Sequence, residues 1–171
     1  MDYLKKFVIP FRGLKLGVHH FDFEIDDKFF EAVESAEIEH GRVSVGVDLT
    51  KQERMLILEF GIEGMVEVSC DRCLEPLEMP VKGNERLIVK FGENRDEESD
   101  EVIIIPESDH QINISQYLYE FISLLLPMQK IHPDDEHGNS TCNPDMLERL
   151  GRRDGEKQTD PRWDVLKKLK K

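Results

Sequence analysis

The chain has 171 residues, 39% hydrophobic and 35% charged, enough for a single hydrophobic core of ordinary size. Its formal net charge of −13 argues against a surface that coats nucleic acid throughout, because phosphate contacts need Lys and Arg. No apolar run approaches the ~20 residues of a membrane-spanning helix, and the longest, around Leu124-Leu125-Leu126, stops at Pro127.

The N-terminal MDYLKKFVIPF has two lysines but no long apolar segment and no small-residue cleavage site. No signal peptide is read, and a cytoplasmic location is expected. Lys5 to Phe11 is the first candidate strand and His19 to Ile25 the second, with Phe21, Phe23 and Ile25 on one face. Asp26 or Asp27 is placed to cap a short helix through Val33. Arg42 to Leu49 alternates Val43, Val45, Val47 and Leu49. Met55 to Ser69 reads as two alternating sets, with Gly61 and Gly64 as bend or turn points. Leu77 to Phe91 is a further extended run, interrupted by Pro80 and Lys82-Gly83-Asn84. Glu93 to Glu101, nearly all acidic, reads as a solvated loop before the short apolar run that ends at Ile105. Short connections favour antiparallel pairing throughout.

The period then changes. Asn113 and Gln116 stand three apart as in a capping box, and Ile114, Leu118, Phe121, Ile122 and Leu125 follow at helical spacing up to Pro127. This helix is expected to close the core against the sheet. A second helix is predicted from Pro144 to Leu150, stopping near Gly151, followed by a polar linker. Asp160-Pro161 then has the form of an N-cap and first helical residue, with Trp163, Leu166 and Leu169 along one side. The predicted fold is α+β: a mainly antiparallel curved sheet or small open barrel, with a packed central helix and short C-terminal helices. Residues 1–150 would form one domain, and 151–171 a polar linker with a short basic helix.

An odd number of cysteines argues against a disulfide framework and for metal binding or burial. Cys70-Asp71-Arg72-Cys73 is a C-x2-C pair at a predicted turn between strands. Two thiolates so spaced can hold one face of a metal ion, and zinc takes four Cys or His ligands in a tetrahedron. The stretch IHPDDEHGNSTC supplies Cys142 and two candidate histidines, His132 and, as the alternative, His137. Three cysteines and one histidine would complete a structural zinc site; reduced, metal-free thiols near a turn are the competing reading. A redox C-x-x-C is disfavoured, because that motif opens a helix in a βαβ unit.

There is no Gly-rich phosphate loop and no G-x-S-x-G elbow. His19 and His20 share a strand and should point to opposite faces. A four-ligand zinc lacks the open position that catalysis needs. No enzyme activity and no small-molecule substrate are expected. A metal-dependent enzyme would require one ligand position left open for water. The basic residues collect at the C-terminal end, where Arg149 to Lys171 holds nine Lys or Arg against four acids.

Three segments together resemble the YceD-like family: VSCDRCLEPLEMPV (Val68 to Val81), LLLPMQKIHPDDEHGNSTC (Leu124 to Cys142) and DPRWDVLKKLKK (Asp160 to Lys171). The residues that match its motifs are Cys70, Arg72, Cys73, Pro127, His132, Cys142, Pro161 and Leu166. The resemblance implies a role in bacterial ribosome biogenesis, in the accumulation of large-subunit ribosomal RNA, without enzyme activity. Arg72 at the knuckle, with Arg152, Arg153, Arg162, Trp163, Lys167, Lys168, Lys170 and Lys171, would contact that RNA or a pre-ribosomal protein. The alternative is a protein-protein adaptor with a structural zinc knuckle and no RNA contact, docking the Trp163, Leu166 and Leu169 face into a partner's groove.

Overall fold

A computed structural model describes residues 3–93, 95–99 and 101–155. The expected linker from 156 and the last helix, with Arg162, Trp163, Lys167, Lys168, Lys170 and Lys171, lie outside the described residues. The chain divides into two compact units, one of Met1–Ser69 with Pro76–Lys130 and one of Cys70–Glu75 with Ile131–Lys171.

The larger unit is α+β. Its strands are β1 (Val8–Pro10), β2 (Gly17–Ile25), β3 (Ile38–Lys51), β4 (Met55–Ser69), β5 (Pro76–Gly92), β6 (Asp96–Ser99), β7 (Val102–Pro106) and β8 (Gln111–Asn113). Its helices are α1 (Asp27–Ala32) and α2 (Ser115–Leu124). Six strands form one sheet in the order β2-β3-β4-β5-β7-β6, and β1 pairs with β8 apart from it. The two edge strands, β2 and β6, do not pair, so the sheet is open rather than a closed barrel. No described helix is long and apolar enough to cross a membrane.

Alternation sets the core face. Val43, Val45, Val47 and Leu49 of β3 are buried, and the register sets them beside Gly64, Ile62, Phe60 and Leu58 of β4. Leu87 and Val89 of β5 continue the layer beside Leu58 and Leu56. α2 lies on this face: Leu118 and Ile122 are fully buried, and the Phe121 ring meets Phe60 edge-on at 5.1 Å. Gly83 makes room for the end of α2, since a Cβ there would come within 2.3 Å of Leu125 Cδ2. Beyond α2, Lys130 Nζ reaches Glu37 Oε1 at 2.6 Å. Phe7, Phe29 and Phe30 build a second apolar cluster under α1, with ring centroids 4.9 and 5.5 Å apart in sequence.

Several sequence expectations are corrected here. Tyr3–Phe7 is a 3-10 turn, so the first strand begins only at Val8. β4 runs unbroken through Gly61 and Gly64, and β5 through Pro80 and Lys82-Gly83-Asn84. Fifteen cross-strand pairs between β4 and β5 override the local turn propensity. Pro80 is tolerated because β7 pairs only with Ile88 to Gly92, leaving the Pro80 stretch of β5 on an open edge. The acidic stretch is not all loop: Asp96–Ser99 forms β6, where charge suits a sheet edge exposed to water. β6 runs back two strand spacings from β5, and β7 returns into the slot between them. The β5–β7 pair is therefore parallel without a helical crossover.

The capping box does not form. Asn113 Oδ1 accepts from Ser115 N at 2.9 Å, but Gln116 turns outward to Glu120. Asp26 stands at the N-cap of α1 with no capping bond, and its carboxylate accepts the Tyr3 hydroxyl instead. His19 is half-buried and His20 is exposed between two carboxylates, Asp48 at 2.7 Å and Asp22 at 3.0 Å. Those bonds raise the His20 pKa above its ordinary value.

Candidate metal centre

The register Ser69↔Pro76 leaves Cys70–Glu75 as the loop that joins β4 to β5. Cys70 N donates to Glu75 O and Leu74 N to Cys70 O, both at 2.9 Å, folding the loop into a knuckle. The tight reversal puts Leu74 at φ 63°, a conformation that disfavours any side chain, and leaves it 69% exposed.

The second half is a reversal between His132 and Cys142. Asp135 organises it: its Oδ1 accepts from His137 N at 2.9 Å and Asn139 N at 2.7 Å. The bonds from Asn139 and His137 hold the Asp135 carboxyl below its usual range. Thr141 Oγ1 donates to Pro133 O, and Asp134 bridges Ser140, so the two arms close and bring His132 beside Cys142. Asn143 then joins the halves. Its side chain donates to Glu75 at 2.9 Å and accepts from Asp145 N, capping α3 (Pro144–Gly155), with Pro144 as the first helical residue. α3 continues past the stop expected near Gly151, since one glycine weakens a helix without ending it.

Cys70, Cys73, His132 and Cys142 converge, with one ligand atom of each within 4.8 Å of all the others. Cys70 Sγ and Cys142 Sγ are 3.8 Å apart; His132 Nδ1 is 3.5 Å from Cys73 Sγ and 3.9 Å from Cys142 Sγ. Tetrahedral zinc with ordinary bond lengths sets its ligands at about 3.8 Å for S···S and about 3.6 Å for S···N. The observed spacings match both. All three cysteines are free and buried.

The electrostatics suit a cation. Burial pushes the Cys70 thiol up, but the backbone N–H groups of Cys73, Arg72 and His132 outweigh it and bring the pKa to about 6. Cys73 is pushed the other way, by burial and by the neighbouring Cys70 and Cys142 sulfurs. Three sulfurs so close cannot all ionise unaided, and a divalent cation removes that conflict.

Among the described residues of this unit, the three cysteines are the only buried ones. These described residues therefore form no apolar core of their own, the condition under which small domains need a staple. His137, the alternative ligand, is exposed and outside the cluster. Arg72 is exposed, with Nη1 at 3.3 Å from Ser140 Oγ. Arg152 and Arg153 fall within α3, but their side chains lie outside the described residues. The family model described as "Large ribosomal RNA subunit accumulation protein YceD" matches residues 58–170. The chain belongs to the YceD family. The match takes in both halves of the thiol-imidazole cluster and leaves all of β1 to β3 and the first residues of β4 outside. No curated protein and no solved structure matches this YceD chain.

Sequence inspection missed Leu74 and the Asn143–Glu75 clamp. The first depends on a backbone angle; the second was partly visible as Asn-Pro, a cap and first-turn pair. Replacing Leu74 with Gly should relieve about 1 kcal/mol or more of left-handed strain. Leu74→Gly protein titrated with a competing chelator should release metal at a higher chelator concentration than wild type. An earlier release would show that the leucine side chain stabilises the knuckle.

Proposed function

We propose that this chain is a non-enzymatic, cytoplasmic ribosome-biogenesis factor that supports accumulation of large-subunit ribosomal RNA, with zinc as a structural ligand. The observation that carries the reading is the closed set of four donors, Cys70, Cys73, His132 and Cys142, in a chain of the YceD family. Four protein ligands fill a tetrahedron and leave no position for a reacting water. Zinc here would be a fastener that holds the knuckle to the segment before α3. RNA contact falls to Arg72, Arg152 and Arg153, and to Arg162, Trp163, Lys167, Lys168, Lys170 and Lys171 near the C-terminal end.

The test is to sediment cell extract and follow the protein. Co-migration with a precursor of the large subunit, lost steeply as salt rises, is the expected result. Retention of the particle by protein lacking residues 152–171 would remove the C-terminal basic residues from the mechanism.

An adaptor that contacts only protein is the second reading. The acidity favours it, since the net charge of −13 lies almost wholly in the unit that carries the sheet. Cross-linking followed by stringent washing separates the two: recovered RNA supports the first, a single protein partner without RNA the second.

A further inference from the structure

The face of the sheet opposite α2 carries three parallel cross-strand rows. His20, Asp48, Glu59 and Arg86 form one; Glu24, Ser44, Glu63 and Lys82 form another. Between them runs Asp22, Gly46, Gly61 and Asn84. The outer rows stand four residues apart along each strand, about 13 Å, and the glycines leave the floor between them bare. A recess of about 660 Å³ lies over the glycines and the row of His20, Asp48, Glu59 and Arg86 and extends to Glu101; the Glu24 row does not line it.

The fold does not require these glycines. Neither has a positive φ. A Cβ at Gly46 would come no nearer than 3.4 Å to His20, and one at Gly61 no nearer than 3.7 Å to Asn84, both ordinary contacts. Gly64 is the contrast, since a Cβ there would lie 2.3 Å from the Arg42 carbonyl oxygen. Glycine in mid-strand weakens the strand and commonly marks the close approach of another group.

Charge selects the occupant. Lys82 is paired with Glu63 at 3.0 Å and Arg86 with Glu101 at 3.6 Å, so both cations of the outer rows are already matched. Asp22 and Asp48 share His20, and Glu59 has no ion-pair partner among the described residues. An electronegative face on an acidic unit repels phosphate and attracts cationic polypeptide. A guanidinium is flat enough to lie on bare backbone, and its fork suits the neighbouring carboxylates Asp48 and Glu59 at the edge of the recess; an ammonium has neither property.

We propose that this recess receives an arginine side chain from an extended, basic segment of a partner protein. The assembly role leaves this surface without a use, and the proposal holds whether or not the chain also touches RNA.

Isotope-labelled, metal-loaded full-length protein titrated with a short peptide of alternating glycine and arginine tests it by NMR. The amides of Gly46 and Gly61 and the His20 ring should shift, and the lysine analogue should bind more weakly. Gly46→Ala and Gly61→Ala should keep or raise the melting temperature yet weaken binding by about tenfold, the scale of one lost charged contact. Glu59→Gln, at an exposed side chain, should weaken it without touching the floor. Unchanged affinity in all three variants overturns the proposal. So do equal affinity for the lysine peptide, shifts confined to residues 93–101, and displacement of the peptide by a single-stranded oligoribonucleotide that itself shifts Gly46 and Gly61.

Discussion

Cys142→Ser protein should lose its metal and, with it, the order of the smaller unit. Wild-type protein purified without added metal should carry about one zinc per chain; the variant should carry almost none. Zinc contributes roughly 10–16 kcal/mol to folding where a small unit is built around it. That figure is relevant here because the described residues of the unit bury nothing but Cys70, Cys73 and Cys142. Amide exchange should accordingly lose protection between His132 and Cys142 while β3 and β4 stay protected, since their core is closed by their own side chains. His132→Ala should behave as Cys142→Ser does. His137→Ala should leave metal content unchanged, because its ring lies outside the cluster. Metal-free wild-type protein with full protection across this segment would refute the centre.

Phe60→Ala should give the largest single loss of stability in the sheet unit, about 3–5 kcal/mol. Phe60 is 1% exposed and stands on β4, where its ring meets Phe121 of α2 edge-on. Truncation removes the burial of a large ring and leaves a void between sheet and helix, which neighbouring β-branched residues cannot fill. For a unit of this size the melting transition should fall by roughly 10 °C or more. Metal content should not change, because Cys70, Cys73, His132 and Cys142 all belong to the other unit. Phe121→Ala should be partly redundant with it, with the double variant less damaged than the two single losses added together. Strict additivity would show that the rings do not stabilise each other.

The C-x2-C pair, the histidine and the third cysteine could be read as a zinc set, because ligand type and knuckle spacing are local properties. Alternation along β2 and β3 and the helical spacing of α2 were also legible, since periods of 2 and 3.6 report which side of an element is buried. The unbroken course of β4 and β5 was not. Gly61, Gly64 and Pro80 are local signals for a bend, and only the long register between these strands shows that each is accommodated. Nor could the acidic stretch announce a strand, since β6 exists by pairing with β7 and not by its own propensity.

By itself the sequence determined the donor types, the α+β class and the likeness to the YceD family, all of which follow from side-chain chemistry and short periods. Tertiary structure alone decided that His132 and not His137 joins the thiols. The choice turns on the reversal pinned by Asp135, which carries His132 back to Cys142 and leaves His137 in solvent. Convergence of groups some 60 to 70 residues apart depends on chain path, and no local spacing encodes it.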